Sequence, residues 1–415
     1  MISRKNSAAN FPLKPVWRIL GLALGLRLLF LIAVPAEYHD IPHRLSAFND
    51  EAAHYNYVRQ MAEHDLRPLQ IHSIREAQPR GLQDYEYYQP PLFYRLAGYL
   101  ENILPETMRG IYSARALNLM LGLLLILTVG RVLQLVNFDY AVPGMLLLTA
   151  LGSVVFFSAV VTNDVLLWLL SALFAYYSLL SMKEPDWRKR AALGLCFAAA
   201  LWTKLSALTL LPAMLLALYF SFKTRKWGLR IIFTLLWTLF ALCWTYPLFR
   251  ENLRFYGELL PLSVGMGEGQ DIFAQISLKR LYLVTNYLAH TFYFPFENYW
   301  IGWVQAVIFL AMGLASLGVI YLAIRKLISD YRDSDVFIKK GYLFLGLCLA
   351  GALGGLTMMI LRFSQSEARL TFTALPAICL LLISGFDRLC RGSRRRREIM
   401  ALALPALPYL LFLLY

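Results

Sequence analysis

Apolar runs of near-spanning length, separated by short polar stretches, recur from Val16 to Tyr415. A helix rises about 1.5 Å per residue, so about twenty apolar residues cross the ~30 Å hydrocarbon core of a bilayer. The runs predict crossings at Val16–Pro35, 111–136, 141–160, 165–182, Trp227–Pro247, Ile301–Ile324, Gly341–Leu361, Leu370–Leu389 and Ile399–Tyr415. Ala191–Phe220 would reach about 45 Å as one helix, too far for one crossing without strong tilt. It is predicted as a hairpin of two short crossings, with Trp202-Thr203-Lys204 at its tip. The fold class is therefore an all-α polytopic membrane protein of about eleven transmembrane helices. It forms a single domain over 1–415, with polar loops at about 37–110 and 249–299 and no large soluble C-terminal domain.

Composition agrees with the pattern. Hydrophobic residues make up 59% of the chain and charged residues 16%, against about 45–50% and about 25% in soluble domains. The first apolar run ends in Val34-Pro35-Ala36-Glu37, which lacks the small-residue pattern of a signal cleavage site. It is read as a retained helix.

A formal net charge of +14 could point to nucleic acid. The basic residues, however, sit in short clusters between apolar runs, as they do on the cytoplasmic side of membrane proteins. No nucleic-acid partner is expected. Arg4, Lys5, Lys14 and Arg18 place the N-terminus in the cytoplasm. The clusters at Lys183/Arg188–Arg190, Lys223–Arg230, Arg325/Lys326, Lys339/Lys340 and Arg391/Arg394–Arg397 all become internal if 191–220 is a hairpin. The chain then reads as a multi-pass plasma (inner) membrane protein with its chemistry facing the exoplasmic or periplasmic side. The five cysteines lie in or beside apolar runs with no metal-type spacing, so no disulfide framework is implied.

On this topology one face collects the ionisable residues. Asp50, Glu51 and His54 have the i, i+3 and i, i+4 spacings of one helix. Acids there serve as helix-capping groups or as a general base just outside the bilayer. Glu86, Tyr88 and Gln89 precede Pro90-Pro91, which enforces an extended or turn entry. The tyrosines also suit an interfacial aromatic belt. Asn163 and Asp164 stand at one outer turn, Lys204 at the hairpin tip, and Arg369 in the last outer turn with Arg362 and Glu367. Acids suit an acceptor hydroxyl, and cations suit a lipid-linked phosphate. Asp50, Glu51 and His54 are also candidate ligands for a divalent metal; no cofactor is otherwise indicated.

At these residues the chain resembles the C-type (GT-C) polyprenyl-phosphate-sugar-dependent glycosyltransferases, near the protein O-mannosyltransferase and aminoarabinose transferase group. The resemblance is carried by Asp50-Glu51, Pro90-Pro91-Leu92-Phe93-Tyr94, Thr162-Asn163-Asp164, Thr203-Lys204, Asn252 to Tyr256-Gly257-Glu258, and Glu367-Ala368-Arg369-Leu370 with Ala374-Leu375-Pro376-Ala377. Their order spans about 48–385. Gln89 stands where many relatives carry a basic residue, and Leu370 replaces an aromatic one.

The resemblance implies a GT-C-like fold with short juxtamembrane helices in the first exoplasmic loop. It implies a glycosyltransferase moving a hexosyl or pentosyl group from a polyprenyl-phosphate donor to a lipid, glycan or protein acceptor by inverting displacement. Asp50 would be the general base, with Glu51 and Glu86 beside it. Lys204 and Arg369 would bind the donor phosphate. His54, Tyr88, Gln89, Asn163, Asp164, Tyr256 and Glu258 would line the site or meet the acceptor. The alternative is a transporter or flippase of a lipid-linked or anionic substrate, with the same charges as gates; such proteins carry internal repeats and midplane charges, and no repeat is evident here.

Overall fold

The computed structural model describes residues 13–33, 46–64, 86–261, 288, 291–293, 303–363 and 367–413; side chains are described for these except at 13, 14, 33, 46–50, 303–310, 363 and 407–413. Among the described residues the chain is helical, without a strand. The helices are α1 (Leu13–Ala33), α2 (Ser46–Glu63), α3 (Leu92–Ile103), α4 (Ile111–Val136), α5 (Ala141–Ala150), α6 (Gly152–Phe157), α7 (Asp164–Lys183) and α8 (Trp187–Thr203). They continue with α9 (Leu211–Ser221), α10 (Trp227–Cys243), α11 (Tyr246–Tyr256), α12 (Trp303–Asp333), α13 (Val336–Phe363), α14 (Leu375–Leu389) and α15 (Arg394–Leu413). Two 3₁₀ segments matter below, Leu205–Leu210 and Ala368–Ala374.

Burial sorts the apolar surface as a bilayer would. On α1, Val16, Ile19, Ala23 and Arg27 form one buried stripe, while Trp17, Leu22, Leu24, Leu28, Leu29 and Ile32 are exposed. On α10, Ile231, Ile232, Leu235, Leu236, Leu239 and Phe240 point outward. So much exposed apolar surface in one place needs lipid as its solvent. Some hydroxyls inside the helices are satisfied by their own backbone: Ser171 donates to the Leu167 carbonyl at 2.8 Å, and Ser384 to that of Leu380 at 2.7 Å. The central helix is α7. It packs on α4, α8, α9, α13, α14 and the 368–374 segment, and most of it is buried.

Six helices are long and apolar enough to cross a membrane among the described residues, or seven if the pair α10 and α11, bent by 55°, is one span. The protein is a multi-pass membrane protein. The crossing expected at 141–160 is broken: α5 ends after ten residues, Leu151 is extended, and α6 follows. The segment 191–220 reverses at Lys204, which is extended between α8 and the 3₁₀ segment. Arg190, near the start of α8, donates to the carbonyl of Ser221, the last residue of α9, at 3.3 Å. The chain therefore turns back on itself, as the length argument predicts, with both limbs packed on α7 and α10. Each limb is short, so neither qualifies as a full-length span alone. In the first polar loop α2, a turn of 3₁₀ helix at Glu86–Tyr88 and α3 supply the expected short helices. All five cysteines are free thiols.

Candidate functional site

The site is assembled around the turn between α6 and α7. Asn118 on α4 donates to the carbonyls of Val160 and Thr162, at 2.7 and 2.9 Å. Glu51 on α2 takes both Arg115 Nε and Nη2 at 2.7 Å and accepts the backbone N–H of Val161, also at 2.7 Å. Glu51 and Arg115 are fully buried. A buried charge pair holds only when its hydrogen bonds are satisfied. Here the fork of Arg115 and the Val161 amide engage both carboxylate oxygens. Glu51 thus clamps α2 to α4 and to the turn.

Asp164, the first residue of α7, is buried. Lys204 donates to its Oδ1 at 2.6 Å and Arg369 to its Oδ2 at 3.3 Å. Thr162 donates to Oδ2 at 3.5 Å. Asn163 donates to the carbonyl of Thr203 at 3.2 Å and to Gln89 Oε1 at 3.5 Å, joining the turn to the hairpin tip and to the first loop. Arg369 lies over the ring of Phe157 at 5.1 Å and is also ion-paired with Glu367. The side chains of Lys204 and Arg369 keep 17% and 16% exposure, against 4% for Asp164. Both cations therefore open to the outside, while the acid between them lies behind.

Beside this pair lies an aromatic and acid cluster. His54 shares the buried face of α2 with Glu51. Its Nδ1 is hydrogen-bonded to the Tyr94 hydroxyl at 2.7 Å and lies 4.0 Å from Glu86 Oε2. Tyr94 stacks on Tyr57, which leans on Tyr87. Gln89 donates to the Tyr88 hydroxyl at 2.9 Å. Burial pushes the Tyr94 phenol well above its ordinary range, and the charges of Glu86 and Asp164 add to the effect. Burial likewise raises the Tyr57 phenol.

The structure thus brings together Glu51, His54, Glu86, Tyr88, Gln89, Asn163, Asp164, Lys204 and Arg369. Tyr256 stands at the margin, and Glu258 lies in the bend after Gly257, whose φ of 70° ends α11. The backbone of Asp50 lies in α2, one residue before Glu51, but its side chain is outside the described residues. For a metal, Glu51 is a poor ligand, because both its oxygens are engaged. Among the described residues no three His, Cys, Asp or Glu side chains are grouped to hold an ion.

Sequence reasoning missed Arg115 and Asn118, and gave Tyr94 only as part of the Pro90-to-Tyr94 motif, without a role. Arg115 carried a signal: it is an arginine early in a long apolar run, and a charge inside a span marks a partner by default. Asn118 carried none, since its role depends on which helices meet.

No protein-family model matches the chain, and no curated protein sequence does. Solved structures do. ArnT of Cupriavidus metallidurans bound to undecaprenyl phosphate aligns over 95% of this chain and 64% of its own, with a TM-score of 0.55 and 18% identity. The same protein in the apo state aligns over 98% and 65%, also at 0.55 and 18%. A looser likeness is to the apo oligosaccharyltransferase of Archaeoglobus fulgidus, with a TM-score of 0.47, 15% identity, and 94% and 56% covered. The chain thus shares the fold of ArnT and spans less than two thirds of the length of these proteins.

Proposed function

We propose that this GT-C-fold chain is a membrane glycosyltransferase that moves a sugar from a polyprenyl-phosphate donor to an acceptor hydroxyl or amine. The observation that carries the reading is the convergence of Lys204 and Arg369, both partly exposed, on the buried carboxylate of Asp164. Two cations with a planar fork among them suit the phosphodiester of such a donor and, more strongly, the phosphate monoester that forms as it is cleaved. The likeness to ArnT, one structure of which holds undecaprenyl phosphate, supports that choice of donor.

In the proposed inverting displacement, the acceptor oxygen or nitrogen attacks the anomeric carbon as the carbon–oxygen bond to phosphate breaks. Asp50 takes the acceptor proton. Lys204 and Arg369 stabilise the charge growing on the leaving polyprenyl phosphate, a role worth several kcal/mol in a dry site. Asp164 holds the two cations in register. Glu51 acts through Arg115 by fixing the helix that carries Asp50. His54, Glu86 and Tyr94 line the acceptor side, with Tyr88, Gln89 and Asn163 between the halves and Tyr256 and Glu258 at the cover. The N-terminus lies in the cytoplasm and the site faces the exoplasmic or periplasmic side.

The test is direct. Purified protein in detergent is incubated with a panel of polyprenyl-phosphate hexoses and pentoses, and free polyprenyl phosphate is measured. Release with at least one donor and an added acceptor is expected. No release from any donor, with the donors bound, would remove the transferase reading.

A further inference from the structure

In this structure the two cations assigned to phosphate are already neutralised. Lys204 is paired with Asp164, and Arg369 with both Asp164 and Glu367. A phosphate arriving at Arg369 must therefore share it with these acids or replace one of them. The two carboxylates are not equivalent. The Asp164 side chain has 4% exposure, is held by Lys204, Arg369 and Thr162, and begins the central helix. Moving it would leave a carboxylate buried without its partners, which is costly. The Glu367 side chain has 24% exposure and sits on extended backbone just before the 368–374 segment. It occupies the N-cap position there and makes no side-chain cap hydrogen bond. It is ion-paired with Arg369, reached across two residues, and it can swing into water without unravelling a helix.

We propose that Glu367 is a displaceable place-holder, a carboxylate that occupies the phosphate position on Arg369 and leaves it when a phosphate monoester binds. This rests on the reading of Lys204 and Arg369 as the phosphate site. Glu367 sits on the Arg369 Nε–H and Asp164 on an Nη1–H, so a phosphate can take the Nε edge of the fork only once Glu367 has left it. While the site is empty, Glu367 keeps Arg369 oriented and stops two neighbouring cations from facing each other unscreened. When phosphate arrives, Glu367 is exchanged. A phosphate dianion meeting Lys204 and Arg369 together is favoured over the single carboxylate. The net affinity is then the phosphate's gain less the loss of the Glu367 pair, so Glu367 lowers affinity for the polyprenyl phosphate product and eases its release.

The experiment measures binding of undecaprenyl phosphate to the full chain in detergent, by calorimetry or a competition assay, with inorganic phosphate as a second probe. Glu367→Gln keeps the shape and removes the competing charge. It should tighten undecaprenyl phosphate about two- to fivefold, the scale of a partly exposed ion pair. Arg369→Ala should weaken binding, and Arg369→Ala with Glu367→Gln should match Arg369→Ala alone, because no fork is left to release. Inorganic phosphate, competing at millimolar levels, should rank the variants in the same order. Glu367→Asp, too short to reach the fork in the same way, serves where Glu367→Gln fails to fold by size exclusion. If Glu367→Gln binds no better or worse than wild type while Arg369→Ala weakens binding, the place-holder is wrong and the phosphate site stands. If Arg369→Ala and Lys204→Ala both bind like wild type, the phosphate reading fails and the place-holder with it. A different variant order for inorganic phosphate would show that phosphate is not the group exchanged.

Discussion

Lys204 and Arg369 come from the middle and the end of the chain and share one buried carboxylate, each taking a different oxygen of Asp164. Lys204 is placed by the reversal of the chain between α8 and α9. Arg369 is placed by a 3₁₀ segment that packs on α7 and α13. The shared acid offsets the repulsion that two bare cations would suffer in a low-dielectric setting.

Arg369→Ala and Lys204→Ala should each weaken donor binding and slow turnover, on the order of tenfold or more for loss of a charge-assisted contact. Arg369→Lys should recover only part, because a planar fork becomes a point charge. Wild-type binding and turnover in both alanine variants would mark these residues as interfacial anchors.

Asp50→Asn should leave folding intact and donor affinity within a few-fold, but lower turnover by about 10²-fold, the lower range for loss of a general base. Binding of the donor needs no base, so the loss should fall on kcat. Wild-type turnover in this variant, with Glu86→Gln inactive, would move the base to Glu86.

Arg115→Ala and Glu51→Gln should act on stability before chemistry. Each leaves the partner buried without its counter-charge, at a cost of about 3–5 kcal/mol. Thermal unfolding in detergent should show a clear drop for both. Arg115→Met with Glu51→Gln should regain much of it, since no charge is then stranded. An unchanged melting temperature in Arg115→Ala would show that the pair does not clamp α2.

Gly351→Ala tests the support of the hairpin. A Cβ there would lie 2.1 Å from the Thr209 carbonyl oxygen, so α13 must back away from the 205–210 limb that leads from Lys204. Overpacking of this kind costs about 1–3 kcal/mol, and a shift of Lys204 should weaken donor binding too. Gly354→Ala meets nothing within 4 Å and should be neutral or slightly stabilising. Equal melting temperatures for the two variants would contradict the close approach.

The chain by itself determined the class of solvent, and with it most of the architecture. Runs such as 111–136 and 165–182 have the length and apolar content of a span whatever they touch, and α4 and α7 appear there. The excess length of 191–220 determined a reversal, which occurs at Lys204. The break at Leu151 was not legible, because an apolar run looks the same whether its helix continues or bends. Local spacing placed Glu51 and His54 on one helix face but could not say what that face meets. Only packing decided that Glu51 is engaged by Arg115 and Val161, that His54 meets Tyr94, and that Asp164 stands between two cations. The physical reason is range: helix formation and membrane insertion depend on neighbours within a few turns, whereas an ion pair needs two segments to arrive at one point, and residues far apart in sequence carry no local mark of that meeting.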